Sequence, residues 1–322
     1  MSVGRRNVIT HDAAKTFIPL ARHFQALGYD VRPATPGSAS VDADTIAAHF
    51  CCFYETLKRP IHSTLRFRAM RGRDIPVMTW NRDAPHYLNQ ARWRLYLLEY
   101  LRPFDLYATH STIDGRRFGR HDIYLANAAD IDHYFLTDVA AAFSRLRNPD
   151  GYQFDVSFFG SMNGDRYKEM RRRQVFFAEL GRRLTAQGIR FLFREAEGMS
   201  HDEQIELIQT SRINLNFDAS CDYGAPVASG LPERCYGIPA CGGFLLCDLR
   251  THARNDFTPG ENWAEFNGLD DCVAKIEYWL ANFDAARDLA ERCHAHVMAR
   301  HTYAHRAATL HHALLAWHEG KR

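Results

Sequence analysis

The stretch 211–248, SRINLNFDASCDYGAPVASGLPERCYGIPACGGFLLCD, constrains this chain more than any other. It reads as a strand, a long polar loop, a short helix, a Gly-Gly turn and a second strand. The β-branched and aromatic content of 213–217 marks the first strand. The helix starts after Pro232, with the acidic Glu233 suited to a first turn. It stops at Gly242 and Gly243, and 244–248 begins the next buried strand. In an open α/β sheet, ligands bind in the loop after a strand and at the start of the following helix. Free N–H groups at such a helix start suit a phosphate. The stretch therefore reads as a nucleotide-diphosphate site rather than as plain core.

The same alternation runs through the rest of the chain. In the first half, strands are predicted at 7–10, 29–33, 75–80, 105–109 and 122–127, and helices at 12–27, 60–71 and 85–101. Residues 44–52 are ambiguous between helix and strand. A polar break with Gly and Pro, RLRNPDGYQ at 145–153, is the best domain boundary. Beyond it, strands are predicted at 155–160, 190–194, 213–217 and 244–248, with helices at 165–187, 201–211, 233–241, 269–282, 284–300 and 303–318. The fold class is α/β, with parallel sheets and helices on both faces. The expected domains are 1–148 and 149–322, the last helix packing back on the first domain.

A chain of 322 residues, 46% hydrophobic and 24% charged, fits two globular domains of ordinary size. With 40 Lys and Arg against 38 Asp and Glu, its net charge of +2 gives no global drive toward nucleic acid or membrane. No run of eighteen apolar residues is present, so no transmembrane helix is expected. The N-terminal residues MSVGRRNVITHD lack a signal-peptide core, and the expected location is cytoplasmic. The eight cysteines form no CxxC pair. Cys235, Cys241 and Cys247 lie on different elements of one βαβ stretch, so buried thiols are expected rather than a zinc site.

Four segments stand in order: VSFFGSM at 156–162, SRINLNF at 211–217, LPERCYGIPACGGFLLCD at 231–248 and HTYAHR at 301–306. Together they resemble the C-terminal half of the CgeB-like glycosyltransferases, of the broad group-1 class, over about 154–310. The resemblance implies the GT-B architecture of two Rossmann-like domains. It implies that the C-terminal domain binds a nucleotide-diphosphate sugar, with a UDP-sugar favoured, and that the N-terminal domain binds the acceptor. It further implies transfer without a metal or other cofactor, and a retaining outcome.

Small residues at Gly160 and Ser161 end a strand and let a backbone approach a phosphate or sugar. Arg166 opens the following helix and could clamp a diphosphate, although the run Lys168, Arg171, Arg172, Arg173 also reads as a solvated face. Arg234 matches the Arg that opens the corresponding helix in the family, and its implied role is to stabilise charge on the leaving diphosphate. A salt bridge between Glu233 and Arg234 is the alternative. The family pattern resembles FE-x-x-A-C-G, and the Glu expected to hold the donor ribose is here Gly237. Glu233, one turn earlier, is the candidate substitute. Gly237 in a helix costs about 1 kcal/mol relative to Ala, which suggests a steric reason such as room for a ligand. Asn216, Asp218 and Asp222 could hydrogen-bond sugar hydroxyls, and Gly242 and Gly243 complete the donor-side candidates.

On the acceptor side, Asp83 follows a predicted strand and is the best general-base candidate, with a helix N-cap as its alternative. Asn81, His110, Asn127 and Asp130 are weaker candidates. Asp130 and Asp132 form a DxD, a metal-holding motif in single-domain transferases; no metal is expected here. His301 and His305 stand at i, i+4 but lack a third ligand, and helix docking is the better reading.

The reading is a glycosyltransferase whose acceptor, whether protein, glycan, metabolite or nucleic acid, is open. A degenerate protein that binds a sugar nucleotide or partner without turnover is the first alternative, motivated by Gly237. A transferase acting on modified nucleic-acid bases is the second, motivated by the basic stretches at 92–94, 116–120 and 171–173.

Overall fold

A computed structural model describes residues 6–11, 17–34, 42–71, 74–82, 92–110, 118–165, 170–218 and 230–320. The chain divides into two compact units, Met1–Ala126 with Tyr303–Arg322, and Asn127–Thr302.

The first unit is built on six strands. In chain order these elements are β1 (Asn7–Thr10), α1 (Ile18–Ala26), β2 (Asp30–Pro33), β3 (Ile46–Phe50), α2 (Phe53–Lys58), α3 (Pro60–Arg71), β4 (Val77–Asn81), α4 (Arg92–Leu101), β5 (Phe104–Thr109) and β6 (Gly119–Tyr124). The strand order is β2-β1-β3-β4-β5-β6, and every pairing is parallel. Every residue of β3, β4 and β5 is buried, as expected where helices cover both faces of a parallel sheet. This resolves the ambiguous 44–52 as a strand. A strand buried on both faces has no polar alternation, so periodicity cannot separate it from a buried helix. The edge strand β6 lies three residues before the predicted 122–127, and its middle residues face solvent. The last helix, Tyr303–Glu319, also belongs to this unit. Arg306 Nε donates to the Ala126 carbonyl at 2.9 Å, and Arg82 Nη1 donates to the Tyr303 hydroxyl at 2.7 Å.

The second unit begins with α5 (Val139–Leu146), then β7 (Phe154–Phe159), α6 (Arg171–Ala186), β8 (Phe191–Arg194), α7 (His201–Gln209) and β9 (Ser211–Asn216). It continues with α8 (Arg234–Ala240), β10 (Leu245–Asp248), α9 (Ala253–Asp256), β11 (Ala264–Phe266), α10 (Gly268–Ala281) and α11 (Phe283–Arg300). Its five strands run β11-β10-β9-β7-β8, again all parallel. The core joins Phe158, Phe176, Phe177, Leu180, Leu215, Phe217, Leu246, Phe266 and Ile276. Within it the Phe176 and Phe217 rings stack with centroids 3.6 Å apart.

Residues 127–148 group with the second unit. Ala129 bridges Thr302, and Phe143 and Leu146 pack on Tyr152. The sequence reading lacks α2, α5, α9 and β11, which are only three to eight residues long and carry too few periodic positions to register. No helix of the described residues is long and apolar enough to cross a membrane.

Each sheet has one point where the strand order reverses: between β1 and β3 in the first, and between β7 and β9 in the second. The crevice beyond the carboxyl ends of such a pair is where open α/β sheets take ligands.

Candidate active site

The reversal in the second sheet places the ends of β7 and β9 side by side, and several predicted residues meet there. Arg234, the first residue of α8, reaches back across the sheet. Its Nη1 donates to the Phe159 carbonyl at 2.7 Å, and its guanidinium lies 5.1 Å over the Phe158 ring. Gly160 follows at once. A Cβ there would clash with the Arg234 guanidinium and with the Phe158 ring. The absence of a side chain at 160 thus leaves room for the Arg234 guanidinium. The same turn is tied to the end of β8, where Glu195 Oε2 accepts from the Met162 N–H at 2.7 Å.

Beneath this turn lies a buried network of arginines and aspartates. Arg173, in the first turn of α6, is 1% exposed. Its Nε donates to the Phe217 carbonyl at 2.8 Å, Nη1 to Ser161 at 2.9 Å and Nη2 to Asp218 at 2.6 Å. Arg250 is fully buried and donates to the Gly230 and Asp218 carbonyls, each at 2.8 Å, and to Asp248 Oδ1 at 2.9 Å. Asp248 also accepts from Asn216 Nδ2 and from the Asp218 N–H, both at 2.9 Å. Asp218 has φ +56, an uncommon conformation that Asp tolerates better than most residues. Burial pushes the Arg173 guanidinium down to about 9, and repulsion from Arg234 and Arg250 adds to it. Burial also opposes the charge on Arg250, but Asp248 more than offsets it and the net shift is upward. Arg173, Arg234 and Arg250 gather here around Asp218 and Asp248, with the Glu195 and Glu233 carboxylates at the adjoining turn and helix start.

The position of Gly237 has a physical account. The Tyr134 ring lies against it, and a Cβ at 237 would come within 3.3 Å of that ring. The Tyr134 hydroxyl hydrogen-bonds Gln204 on α7. Burial, then the nearby Glu233 carboxylate, hold its phenol well above the ordinary range. The first turn of α8 differs from the sequence reading. The Cys235 N–H donates to Pro232 at 2.9 Å, and those of Tyr236 and Gly237 donate to Glu233 at 3.0 and 2.9 Å. These groups are thus engaged within the turn rather than offered to a phosphate, so the side chain of Arg234 carries the positive charge here.

The remaining predicted residues lie in several places. Gly242 and Gly243 precede β10, at the amino ends of the strands and so at the opposite end of the sheet from Arg234. Gly242 ends α8 with φ +76 and accepts from Arg287 at 2.8 Å, while a Cβ at Gly243 would strike Ile208 and Ile238. Both serve packing. Asn127 Nδ2 donates to the Leu231 carbonyl at 2.8 Å, pinning the approach to α8. Asp130 accepts from His133 Nδ1 at 2.9 Å and from the Asp132 N–H at 3.3 Å, capping its own turn. Both belong to the second unit, whereas Asn81 and His110 are buried at the ends of β4 and β5 in the first. Asn81 Nδ2 donates to the Tyr107 hydroxyl at 3.1 Å. Asp83, Arg166 and Asp222 fall outside the described residues. Arg250 is absent from the sequence reading, and Arg173, read there with its neighbours as part of a solvated face, is buried instead. Arg173 could have been found, because 173, 176, 177, 180 and 184 share the apolar stripe of α6. It was the one arginine of the run in phase with the core.

A cleft of about 480 Å³ opens beside the network, lined by Arg172, Glu179, Phe217, Asp218, Asp248 and Asn267 among others. Gly160 and Arg234 do not line it, so it adjoins the arginine-bearing turn without being the same place.

Two parallel α/β sheets, each with a reversal of strand order, define a chain of two Rossmann-like units, the GT-B class of glycosyltransferases. The fold matches sucrose-phosphate synthase from Thermosynechococcus elongatus with TM-score 0.64 and 10% identity, over 97% of this chain and 100% of that one. It matches Anabaena HepE, solved in complex with UDP, with TM-score 0.60 and 14% identity over 97% and 100%. Trehalose 6-phosphate synthase from Burkholderia multivorans gives 0.59 and 12% over 99% and 100%. At these identities the likeness shows the fold. No curated protein matches the sequence. The chain belongs to the glycosyl transferase-like family, which matches residues 141–312.

Proposed function

We propose that the chain transfers a sugar from a nucleoside-diphosphate donor, with a UDP-sugar favoured, to an acceptor hydroxyl, within the CgeB-like branch of the family. The observation that carries this reading is the Arg234 guanidinium held against Gly160, at the carboxyl ends of β7 and β9. Glycosyl transfer breaks the bond between the anomeric carbon and the diphosphate, which departs with the electron pair. A cation fixed at the sheet's ligand edge stabilises the charge that develops on that group. The Arg173 and Arg250 network holds the turn beneath Arg234, so the donor is held by protein groups without a metal.

The test is a thermal-shift series of the purified chain with UDP, GDP, dTDP and CMP, with and without EDTA. UDP is expected to raise the melting temperature, and EDTA to leave the shift unchanged. Arg234→Ala should weaken UDP binding by at least about tenfold, or about 1.4 kcal/mol. No shift with any nucleotide, or a shift unaffected by Arg234→Ala, counts against the reading. Tyr134 covering Gly237 favours one rival, a protein that binds the sugar nucleotide without turnover. Slow hydrolysis of a UDP-sugar to free sugar and UDP removes that rival.

A further inference from the structure

Exposed large apolar side chains gather on two helices of the first unit. Ile61 and Leu65 on α3 are 60% and 59% exposed, and Trp93, Tyr96 and Tyr100 on α4 are 57%, 57% and 84% exposed. The two helices pack against each other. Their inner faces are already spent, since Phe67, Leu95 and Leu98 are buried. Spacing of four puts Ile61 and Leu65 on one face of α3, and Arg68 continues that face one turn on. Spacings of three and four put the aromatic rings in one stripe of α4. The charge on these helices is as lopsided as their apolarity. Among the described side chains they carry exposed arginines at 68 and 92 and half-buried ones at 66 and 94, against the single carboxylate of Glu99, in a chain whose net charge is only +2. The Arg94 guanidinium lies 5.4 Å from the Trp93 ring centre.

We propose that this face of α3 and α4 lies on an anionic lipid bilayer, with the rings and aliphatic side chains in the headgroup region and Arg68 and Arg92 on lipid phosphates. Indole and phenol rings have an apolar body and a polar tip, and so favour that boundary. Arginine stems lie along apolar surface while their heads reach phosphate. Clustered cations are drawn to an anionic leaflet. Single-stranded nucleic acid would use the rings and arginines but leave Ile61 and Leu65 in water, whereas a bilayer engages all of them. The inference goes beyond the transfer reading and does not depend on it.

The test is flotation of the full chain with vesicles of phosphatidylcholine alone and of phosphatidylcholine mixed with phosphatidylglycerol. Flotation with the mixed vesicles, weakened by salt, is expected. Trp93→Glu combined with Tyr100→Glu should lower the partition by at least about tenfold. Leu65→Glu, on the other helix, should lower it independently. These side chains are exposed, so unchanged thermal melts are expected to show that the variants fold. Brominated lipid should quench part of the tryptophan emission, and Trp93→Phe should abolish that part. The proposal is overturned by no flotation at low salt, by equal partition onto neutral vesicles, or by folded variants that float as the parent does. Binding of single-stranded DNA without vesicle binding overturns it as well.

Discussion

At the residue scale, chemistry is decided by which arginine of a basic run points inward. Arg172 and Arg173 are neighbours in sequence, yet the side chain of the first is 58% exposed while the second is 1% exposed and bonded to three carbonyls. Replacing Arg173 by Leu orphans those carbonyls and is expected to cost about 3 kcal/mol or more. The same change at Arg172 should stay within about 0.5 kcal/mol. Denaturant midpoints measured on both variants check the contrast, and equal losses would contradict it. His49 supplies a pH dependence. Its Nδ1 lies 3.0 Å from His11 Nε2, and burial, then His11 and Arg66, push its pKa down to about 4. The unfolded chain has the ordinary value near 6.5. Below that value the unfolded state binds a proton that the folded state refuses. The stability is therefore complete above about pH 6.5 and lost as the pH falls through about 4, by up to about 3 kcal/mol. Melting temperatures of the parent and of His49→Asn across this range should converge as the solution is acidified.

At the element scale, α8 shows a local rule broken for a tertiary reason. Gly237 and Pro239 both sit in a seven-residue helix, where propensity alone disfavours them. The glycine gives room to the Tyr134 ring. Gly237→Ala should gain about 1 kcal/mol of helix propensity but lose more by displacing the ring, and so destabilise the parent chain. In a Tyr134→Ala background the same change should stabilise. A double-mutant cycle reads the sign change directly, and additive effects would show that the two residues are not coupled. By contrast, α7 obeys its sequence. Ser200 and Glu203 form a reciprocal capping box, a signal present in the string but not used in the reading.

At the scale of the whole molecule, the contacts divide the chain at 126/127 and at 302/303, so the last helix belongs with the first unit. The second unit is one continuous piece of chain with its own core and its own arginine network. Residues 127–302 alone are therefore expected to melt cooperatively and to retain a UDP-dependent shift. A fragment that folds yet ignores UDP would move the donor site out of this unit. The last helix buries Tyr303, Arg306, Ala307, Leu310 and Leu314. Removing it should expose that apolar surface of the first unit and lower solubility, visible as aggregation on gel filtration.

The sequence by itself determined the alternation of strands and helices, because apolar runs bounded by Gly and Pro are local signals. It also marked Gly160 and Arg234, since a small residue after a strand and a basic residue opening a helix are legible one by one. Tertiary structure alone decided what each was for. Strand order is set by long-range pairing, and only the β11-β10-β9-β7-β8 order brings the ends of β7 and β9 together. Arg173 and Arg250 became a brace beneath the Gly160 turn because distant segments deliver backbone carbonyls to them; the phase of Arg173 in α6 records its burial, but not those partners. Gly237 looked like a missing carboxylate until Tyr134, about a hundred residues earlier in the chain, was found lying against it. A vacancy read along a sequence has no shape until the fold shows what fills it.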